Sequence, residues 1–204
     1  MARPRTFDAE AVLDASIECF WRHGLQATSI RDLSNATGLN PPSLYNAFND
    51  KRGLFVEALA RYAQRSMQAR IESLEAMESP LGAIRAFFDG LISRSLADPD
   101  RRGCLIVNSA LEVAPHDTAL GVVIAGYLAE IEAFFLRCLQ RAQSNPGLPA
   151  TLDPADTARM LLGLVLGLRV AARTRPEREL LQGMVRPALA LLEAGIQSPA
   201  NHRS

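Results

Sequence analysis

Residues 28–48 decide the fold of this chain, and they read TSIRDLSNATGLNPPSLYNAF. Leu33 gives a first short helix an apolar edge, and Leu44 with Phe48 gives a second short helix a facing edge. Gly38 supplies the tight turn between them, so the two helices can cross at a steep angle. The pattern fits either a plain corner between helices or a helix-turn-helix whose second helix enters the major groove of DNA.

Polar side chains around this segment favour the DNA-binding interpretation. Neutral or singly charged donors near the ends of short helices hold phosphates without a strongly basic surface. The donors of this kind are Thr28, Ser43, Tyr45, Asn46 and Lys51, the only lysine in the chain. Arg3 and Arg5, near the start of the chain, are predicted to reach an adjacent minor groove.

The charge balance excludes a strong global attraction to nucleic acid or to an anionic membrane. The chain carries 22 basic and 22 acidic side chains, and residues 1–65 hold eight basic against seven acidic ones. One such domain would bind DNA weakly, because affinity depends on the number of phosphates neutralised. We therefore expect a two-fold dimer that reads two half-sites.

Apolar residues recur at spacings of three and four along almost the whole chain, which predicts an all-α protein. Asp8 is expected to cap a first helix that runs to His23 and stops at a left-handed Gly24. The later helices are predicted at 29–36, 41–48, 51–78, 81–97, 103–114, 117–144, 154–173 and 176–195, the last kinked at Pro187.

This reading predicts three regions. Residues 1–52 form a helix-turn-helix DNA-binding domain, residues 53–197 form a helical domain, and residues 198–204 form a flexible tail. Residues 145–149 are the clearest loop.

Composition and cysteine usage narrow the class of protein further. With 48% apolar residues the chain is expected to be globular. Cys19, Cys104 and Cys138 form no CxxC pair, so neither a disulfide framework nor a metal site is expected, and no cofactor is implied. The start of the chain lacks the apolar core of a signal peptide, and the longest apolar run, 160–168, is about half a membrane span. We therefore expect a soluble, cytoplasmic protein.

A wider set of residues points to one family. It comprises Asp14-Ala-Ser-Ile-Glu-Cys-Phe20, Gly24, Thr28-Ser-Ile30, Thr37-Gly-Leu39, Ser43-Leu-Tyr45, Phe48 and Lys51. In this combination, residues 7–56 resemble the N-terminal domain of TetR-family transcriptional regulators. The resemblance implies a homodimeric DNA-binding regulator, most often a repressor, with an effector pocket in a C-terminal helical bundle.

Roles for individual residues follow from that resemblance. It implies that Thr28, Tyr45 and Lys51 hold phosphates, and that base edges are faced by Pro41, Pro42, Ser43 and Asn46. The chain departs from the common family pattern at Asn40-Pro41-Pro42, where relatives frequently carry a basic residue. Reading of the operator is therefore expected to depend more on polar contacts and on apolar contact with thymine methyl groups.

Cys104 lies in a Gly-Cys-Leu sequence that resembles a subset of TetR-family repressors, similar to the repressor of the N-ethylmaleimide reductase operon. In those relatives the cysteine, at the start of the sixth helix, senses electrophiles or oxidants. If Gly103 begins the helix, backbone N–H groups together with Arg101 and Arg102 favour the reactive thiolate. The alternative is a cysteine that only packs, as is expected of Cys19 and Cys138.

The remaining predictions concern the effector and the dimer. Side chains that could border an effector pocket are Phe87, Phe88, Asn108, Glu112, Tyr127 and Phe134. The dimer interface is expected on the last two helices, about 154–195, where Gly163 and Gly167 allow close approach of another helix. The effector is either an electrophile that reacts with Cys104 or a small apolar molecule.

A different class is a helical small-molecule carrier or enzyme in which the helix-turn-helix is purely structural. No Ser-His-Asp arrangement, phosphate-binding glycine loop or metal cluster in the sequence supports it.

Overall fold

The computed structural model describes residues 7–144, 149 and 151–194, and within them it contains helices and no strand. The predicted all-α class is confirmed. The helices are α1 (Ala9–Ala27), α2 (Ile30–Thr37), α3 (Pro41–Phe48), α4 (Lys51–Ala63), α5 (Ala69–Glu75), α6 (Pro80–Ala97), α7 (Leu105–Glu112), α8 (Thr118–Gln143), α9 (Pro154–Thr174) and α10 (Arg178–Glu193). A π-helical turn, Gln64–Gln68, joins α4 to α5.

The helices form two compact units. The N-terminal unit contains the described residues through Ala69 together with Cys104–Ala125, and the C-terminal unit contains Arg70–Gly103 and the described residues from Gly126 onward. The division differs from the predicted boundary at residues 52 and 53, because both α4 and α7 pack against α1. That boundary stays a prediction, and the predicted tail at 198–204 lies outside the described residues.

The N-terminal unit is built around α1, which contacts α2, α4 and α7. Phe20 on α1 meets Phe55 on α4 edge to face, with ring centroids 5.1 Å apart. Leu33 of α2 and Leu44 of α3 are buried, as the apolar edges predicted. Burial of such side chains stabilises each by about 2 kcal/mol relative to exposure, so this shared core holds the short helices in place.

The predicted long helix at 51–78 is interrupted. Ser66 donates its hydroxyl to the carbonyl of Tyr62, inside a turn that is one residue wider than an α-helical turn. Serine bonding back to the previous turn is a known cause of local helix distortion. The periodicity of apolar residues continues through such a turn, with Met67 and Ile71 still buried, so the pattern did not reveal it.

The C-terminal unit packs α6 against α9 and α10. Four buried phenylalanine rings contact one another in its core: Phe87, Phe88, Phe134 and Phe135. Pro187 lies inside α10 without dividing it. Asp153 caps α9 by accepting from the N–H of Asp156, with Pro154 at the first helical position as predicted.

Helix α8 is unusually apolar for a helix that is only partly buried. Its length and composition would suffice to cross a membrane, although only 28% of its most apolar stretch is buried. Val122 is 69% exposed and Val123 is 37% exposed. An exposed apolar helix face of this kind is typical of a surface that contacts another molecule.

Candidate nucleic-acid interface

The α2–α3 pair has the geometry that its sequence predicts. Ser29 caps α2 by accepting from the N–H of Asp32, whose carboxylate accepts from the N–H of Ser29 in return. Gly38 ends α2 in the left-handed conformation, with a φ of 72°. Asn40 then caps α3 by accepting from the N–H of Ser43 at 2.9 Å. Each boundary of the helix-turn-helix is therefore fixed by local hydrogen bonds.

Helix α3 presents polar and proline side chains to solvent and apolar ones to the core. Leu44 and Phe48 are 3% and 2% exposed, while Tyr45 is 44% exposed. The outward side chains at and after the start of α3 are Pro41, Pro42, Tyr45 and Asn46, with Ser43 half-buried. This is the exposed face that a recognition helix needs, and all five side chains were predicted to contact DNA.

A break in α1 sets the approach to α2. Gly24 has a φ of 78° and interrupts the helix, as predicted, but the chain then makes one further helical turn to Ala27. The N–H groups of Leu25 and Gln26 lose their partners within the helix and instead donate to the carboxylate of Glu112, at 3.3 and 2.8 Å. A helix-capping carboxylate is thus supplied from 87 residues away in the sequence.

Glu112 therefore has a role that the sequence did not indicate. Both of its oxygens bind the backbone of α1, and its predicted place in an effector pocket beside Asn108 stays a prediction. A Cβ at residue 24 would lie 2.3 Å from Oε2 of Glu112, so only glycine leaves room for the carboxylate. We name the contact of Glu112 with Gly24, Leu25 and Gln26 the α1 joint.

Two of the predicted phosphate ligands also act at the end of α1. Thr28 is 1% exposed and donates its hydroxyl to the carbonyl of Gly24 at 2.5 Å. The Lys51 ammonium donates to the carbonyls of Leu25, Gln26 and Thr28 at 2.7, 3.3 and 2.8 Å. These acceptors use all three of its N–H donors. The contacts with phosphate stay predictions, and the structure adds a structural role for both side chains.

Most basic side chains of the N-terminal unit are paired with carboxylates. Arg61 and Arg65 both donate to Asp14, at 2.6 and 2.7 Å. The hydrogen bond from Arg61, with the further bond from Arg65, lowers the pKa of Asp14 to about 2. Arg52 binds both oxygens of Asp117, at 2.7 and 3.1 Å, and this lowers the pKa of Asp117 to about 2. These cations consequently contribute little net field for DNA.

Arg31 is a basic residue that sequence reasoning left out. It is exposed on α2 and forms no ion pair within the described part of the chain. Its position in the first turn of α2, the helix before the recognition helix, was the sequence feature that could have marked it as a candidate for contact with DNA. Arg3 and Arg5, which were predicted to enter the minor groove, lie outside the described residues.

The three cysteines differ in burial. Cys19 and Cys138 are 9% and 0% exposed, which confirms that they belong to the core, and burial raises the pKa of Cys138 to about 11. Cys104 is half-buried, with its sulfur 3.7 Å from the hydroxyl of Tyr62. It occupies the N-cap position of α7, without a side-chain capping hydrogen bond, and does not lie in the first turn, because Gly103 has a φ of 75° and cannot begin the helix. No cluster of three metal-binding side chains occurs among the described residues.

The remaining predicted pocket residues are distributed over both units. Asn108 is half-buried in the N-terminal unit, and Tyr127 is half-buried in the C-terminal unit. Burial raises the pKa of the Tyr127 phenol. Phe87, Phe88 and Phe134 are at most 5% exposed and pack ring against ring, so their surfaces are largely used by the core. Their part in an effector pocket stays a prediction.

Comparison with known proteins shows the family to which the chain belongs. A family model described as bacterial regulatory proteins, tetR family, matches residues 12–58. A second model, described as tetracyclin repressor-like, C-terminal domain, matches residues 80–187, which is more than half of the chain.

Individual relatives agree over nearly the full length. The chain is 34% identical over 195 residues to the HTH-type transcriptional regulator YezE of Bacillus subtilis, covering 95% of this chain and 100% of YezE. It is 29% identical to the HTH-type transcriptional repressor ComR of Escherichia coli, over 93% of this chain and 90% of ComR. A solved structure of a cysteine mutant of the regulator CifR, complexed with a 26-bp double-strand operator DNA, superposes with a TM-score of 0.82 at 32% identity. That match covers 92% of this chain and 98% of the CifR chain.

Proposed function

Because this chain belongs to the TetR family of DNA-binding transcriptional regulators, we propose that it is a homodimeric repressor that releases its operator when its C-terminal region meets an effector. Its site of action is the cytoplasm, where the DNA is. The observation that carries the proposal is the exposed face of α3, which is capped at Asn40 and anchored from behind by Leu44 and Phe48. The relative ComR is named a repressor, and the CifR structure contains operator DNA.

The small number of unpaired cations in the N-terminal unit supports a dimer. Arg52, Arg61 and Arg65 bind carboxylates, so one unit presents few unpaired cations to phosphates. Two units on one operator double the phosphate contacts, and the free energies of the two half-sites combine.

The surfaces of α9 and α10 support the location of the interface. Met160 and Val170 on α9 and Leu191 on α10 are 40%, 48% and 43% exposed. A Cβ on Gly163 would meet nothing within 4 Å, whereas one on Gly167 would lie 3.4 Å from Met184 of α10. Gly163 thus leaves space for a helix of a second copy, and apolar side chains flank it.

Two mechanisms of release are open. In the first, Cys104 adds to an electrophile such as N-ethylmaleimide: a bond forms from its sulfur to a ring carbon, and the thiol proton ends on the neighbouring carbon. The added bulk stands next to Tyr62 and biases the regulator away from its operator-binding state. In the second, a small molecule binds reversibly in the C-terminal region and Cys104 is silent.

The test is a fluorescence-anisotropy titration of the reduced, full-length protein against the DNA upstream of its own gene. We expect tight, salt-sensitive binding that exceeds binding to a scrambled duplex of the same length. Treatment with N-ethylmaleimide distinguishes the mechanisms, because Cys104→Ser should abolish the response only if the thiol is the sensor. Cys138→Ser is the matched control, since Cys138 is fully buried. Equal affinity for the scrambled duplex would overturn the proposed function.

A further inference from the structure

Three arginines of the C-terminal unit lie close to Gly90 and Ser95 of α6. Arg70 of α5 and Arg94 of α6 both approach Gly90: a Cβ built there would lie 2.7 Å from Nη2 of Arg70 and 3.1 Å from Nη1 of Arg94. Arg169 of α9 donates to the hydroxyl of Ser95 at 3.4 Å, one residue beyond Arg94. None of the three forms an ion pair within the described part of the chain.

This arrangement is costly for Arg70, although Arg94 is exposed to water. Arg70 is half-buried, and both desolvation and the nearby charge of Arg169 lower its pKa. A guanidinium withdrawn from water is normally paired with a carboxylate, because otherwise it loses hydration without compensation. Elsewhere in the same unit Arg85, Arg102 and Arg137 each have such a partner. Arg178 and Arg186 also form no ion pair among the described residues, but both are exposed to water, whereas Arg70 and Arg169 are half-buried.

The cluster also contains a buried neutral donor. Ser95 is 6% exposed and accepts a hydrogen bond from Arg169, while its own O–H has no acceptor among the described residues. Gly90 lets the Arg70 guanidinium rest against the α6 backbone, since any side chain there would displace it. Guanidinium groups in this density match the geometry of a carboxylate or phosphate, which accepts several N–H donors at once.

We infer that Arg70, Arg94 and Arg169, together with Ser95, bind the acidic group of a small organic anion, and that this anion is the effector. The inference rests on the proposed function, because it names the chemical class of the molecule that causes release. The acid group is a carboxylate or a phosphate, and both offer several oxygens that accept from guanidinium N–H groups.

Binding is tested on the full-length protein by thermal unfolding, with inorganic phosphate and succinate as separate probes in chloride buffer of constant ionic strength. A ligand that binds only the folded state raises the Tm with its concentration. The two probes distinguish a phosphate ligand from a carboxylate ligand. We expect one of them to give a saturable rise in the wild type and at least a tenfold weaker apparent affinity in Arg70→Gln and Arg169→Gln.

Two further variants separate charge from position. Gly90→Ala keeps every charge but displaces the Arg70 guanidinium, so it should also lose the response. Arg159→Gln on α9 removes an arginine that binds Glu132 and Asp156, and it should respond like the wild type. In chloride alone, Arg70→Gln should have a higher Tm than the wild type, because it relieves repulsion among like charges. A lower Tm together with an unchanged response to both probes would overturn the site.

Operator binding is measured in the same buffers. A probe that stabilises the wild type should weaken its operator affinity, and it should leave the affinity of Arg70→Gln unchanged. Stabilisation without any effect on the operator would overturn the role as effector site. A protein that binds no operator in chloride, yet still shows the arginine-dependent rise in Tm, would contradict the proposed function and leave the anion site standing.

Discussion

One group of arginines in the N-terminal unit and one group in the C-terminal unit differ in their partners. In the N-terminal unit Arg52 binds Asp117. Arg61 and Arg65 bind Asp14, and these ion pairs hold helices together. In the C-terminal unit the trio around Gly90 is left without a carboxylate. The paired arginines join helices of the DNA-binding unit, whereas the inferred anion would supply the partner of the trio.

The largest effect is expected at the α1 joint. Gly24→Ala forces a residue with a Cβ into a φ of 78° and brings that Cβ within 2.3 Å of the Glu112 carboxylate. Strain and lost hydrogen bonds together should destabilise the protein by about 3 kcal/mol. The measurement is the urea midpoint. Gly126→Ala on α8, where nothing lies within 4 Å of the new Cβ, should instead stabilise by up to about 1 kcal/mol.

Removal of the carboxylate at the same joint should cost less. Glu112→Ala leaves the N–H groups of Leu25 and Gln26 without their acceptor and should reduce the free energy of unfolding by about 2 kcal/mol. Operator affinity should fall as well, because the joint orients the end of α1 next to α2. Glu57→Ala, an exposed change on α4, is the control and should stay within about 0.5 kcal/mol of the wild type. Equal stability of the two variants would show that the α1 joint contributes nothing to the free energy of unfolding.

The next prediction compares a paired with an unpaired arginine on DNA. Arg31→Gln should weaken operator binding several-fold and reduce the slope of log affinity against log salt by about one unit, as loss of one phosphate contact does. Arg65→Gln, whose guanidinium binds Asp14, should leave that slope unchanged. The measurement is an anisotropy titration at four salt concentrations. Identical slopes for both variants would mean that ion pairing does not withhold arginines from DNA.

The smallest effect concerns acid stability. The pKa of Asp14 is lowered from 3.8 to about 2, so its contribution to stability is complete above the unfolded value and is lost as the pH falls toward the folded value. Because the carboxylate is 40% exposed and screened, we expect less than about 1 kcal/mol. Urea midpoints should fall between about pH 5 and pH 2 more steeply in the wild type than in Asp14→Asn. Asp89→Asn on α6, which forms no ion pair among the described residues, should follow the wild type.

Local signals predicted the helix boundaries well. Asp8, Asn40 and Asp153 cap the helices that follow them, and Gly38 takes the left-handed turn, because each depends on hydrogen bonds within four residues. Helix α7 was predicted to begin at Gly103, and the positive φ of that glycine moves the start to Leu105. A glycine adopts helical or positive φ values with similar ease, so the position of Gly103 in the sequence did not decide where α7 begins.

The site was harder to predict wherever it depends on distant partners. The exposed face of α3 follows from a pattern within eight residues, and the structure bears out its exposure. Glu112, in contrast, caps α1 from another part of the chain, and no local pattern announces such a contact. The trio around Gly90 draws on α5, α6 and α9, so only the tertiary structure brings its members together.

Lys51 gives the molecule an internal chemical reporter. It is the only lysine in the chain, and its ammonium is engaged by three carbonyl oxygens at the end of α1. An amine held in this way is protected from acylating reagents until those contacts open. The rate at which an acylating reagent modifies this one side chain would therefore measure how often the end of α1 detaches from α4, without interference from any other lysine.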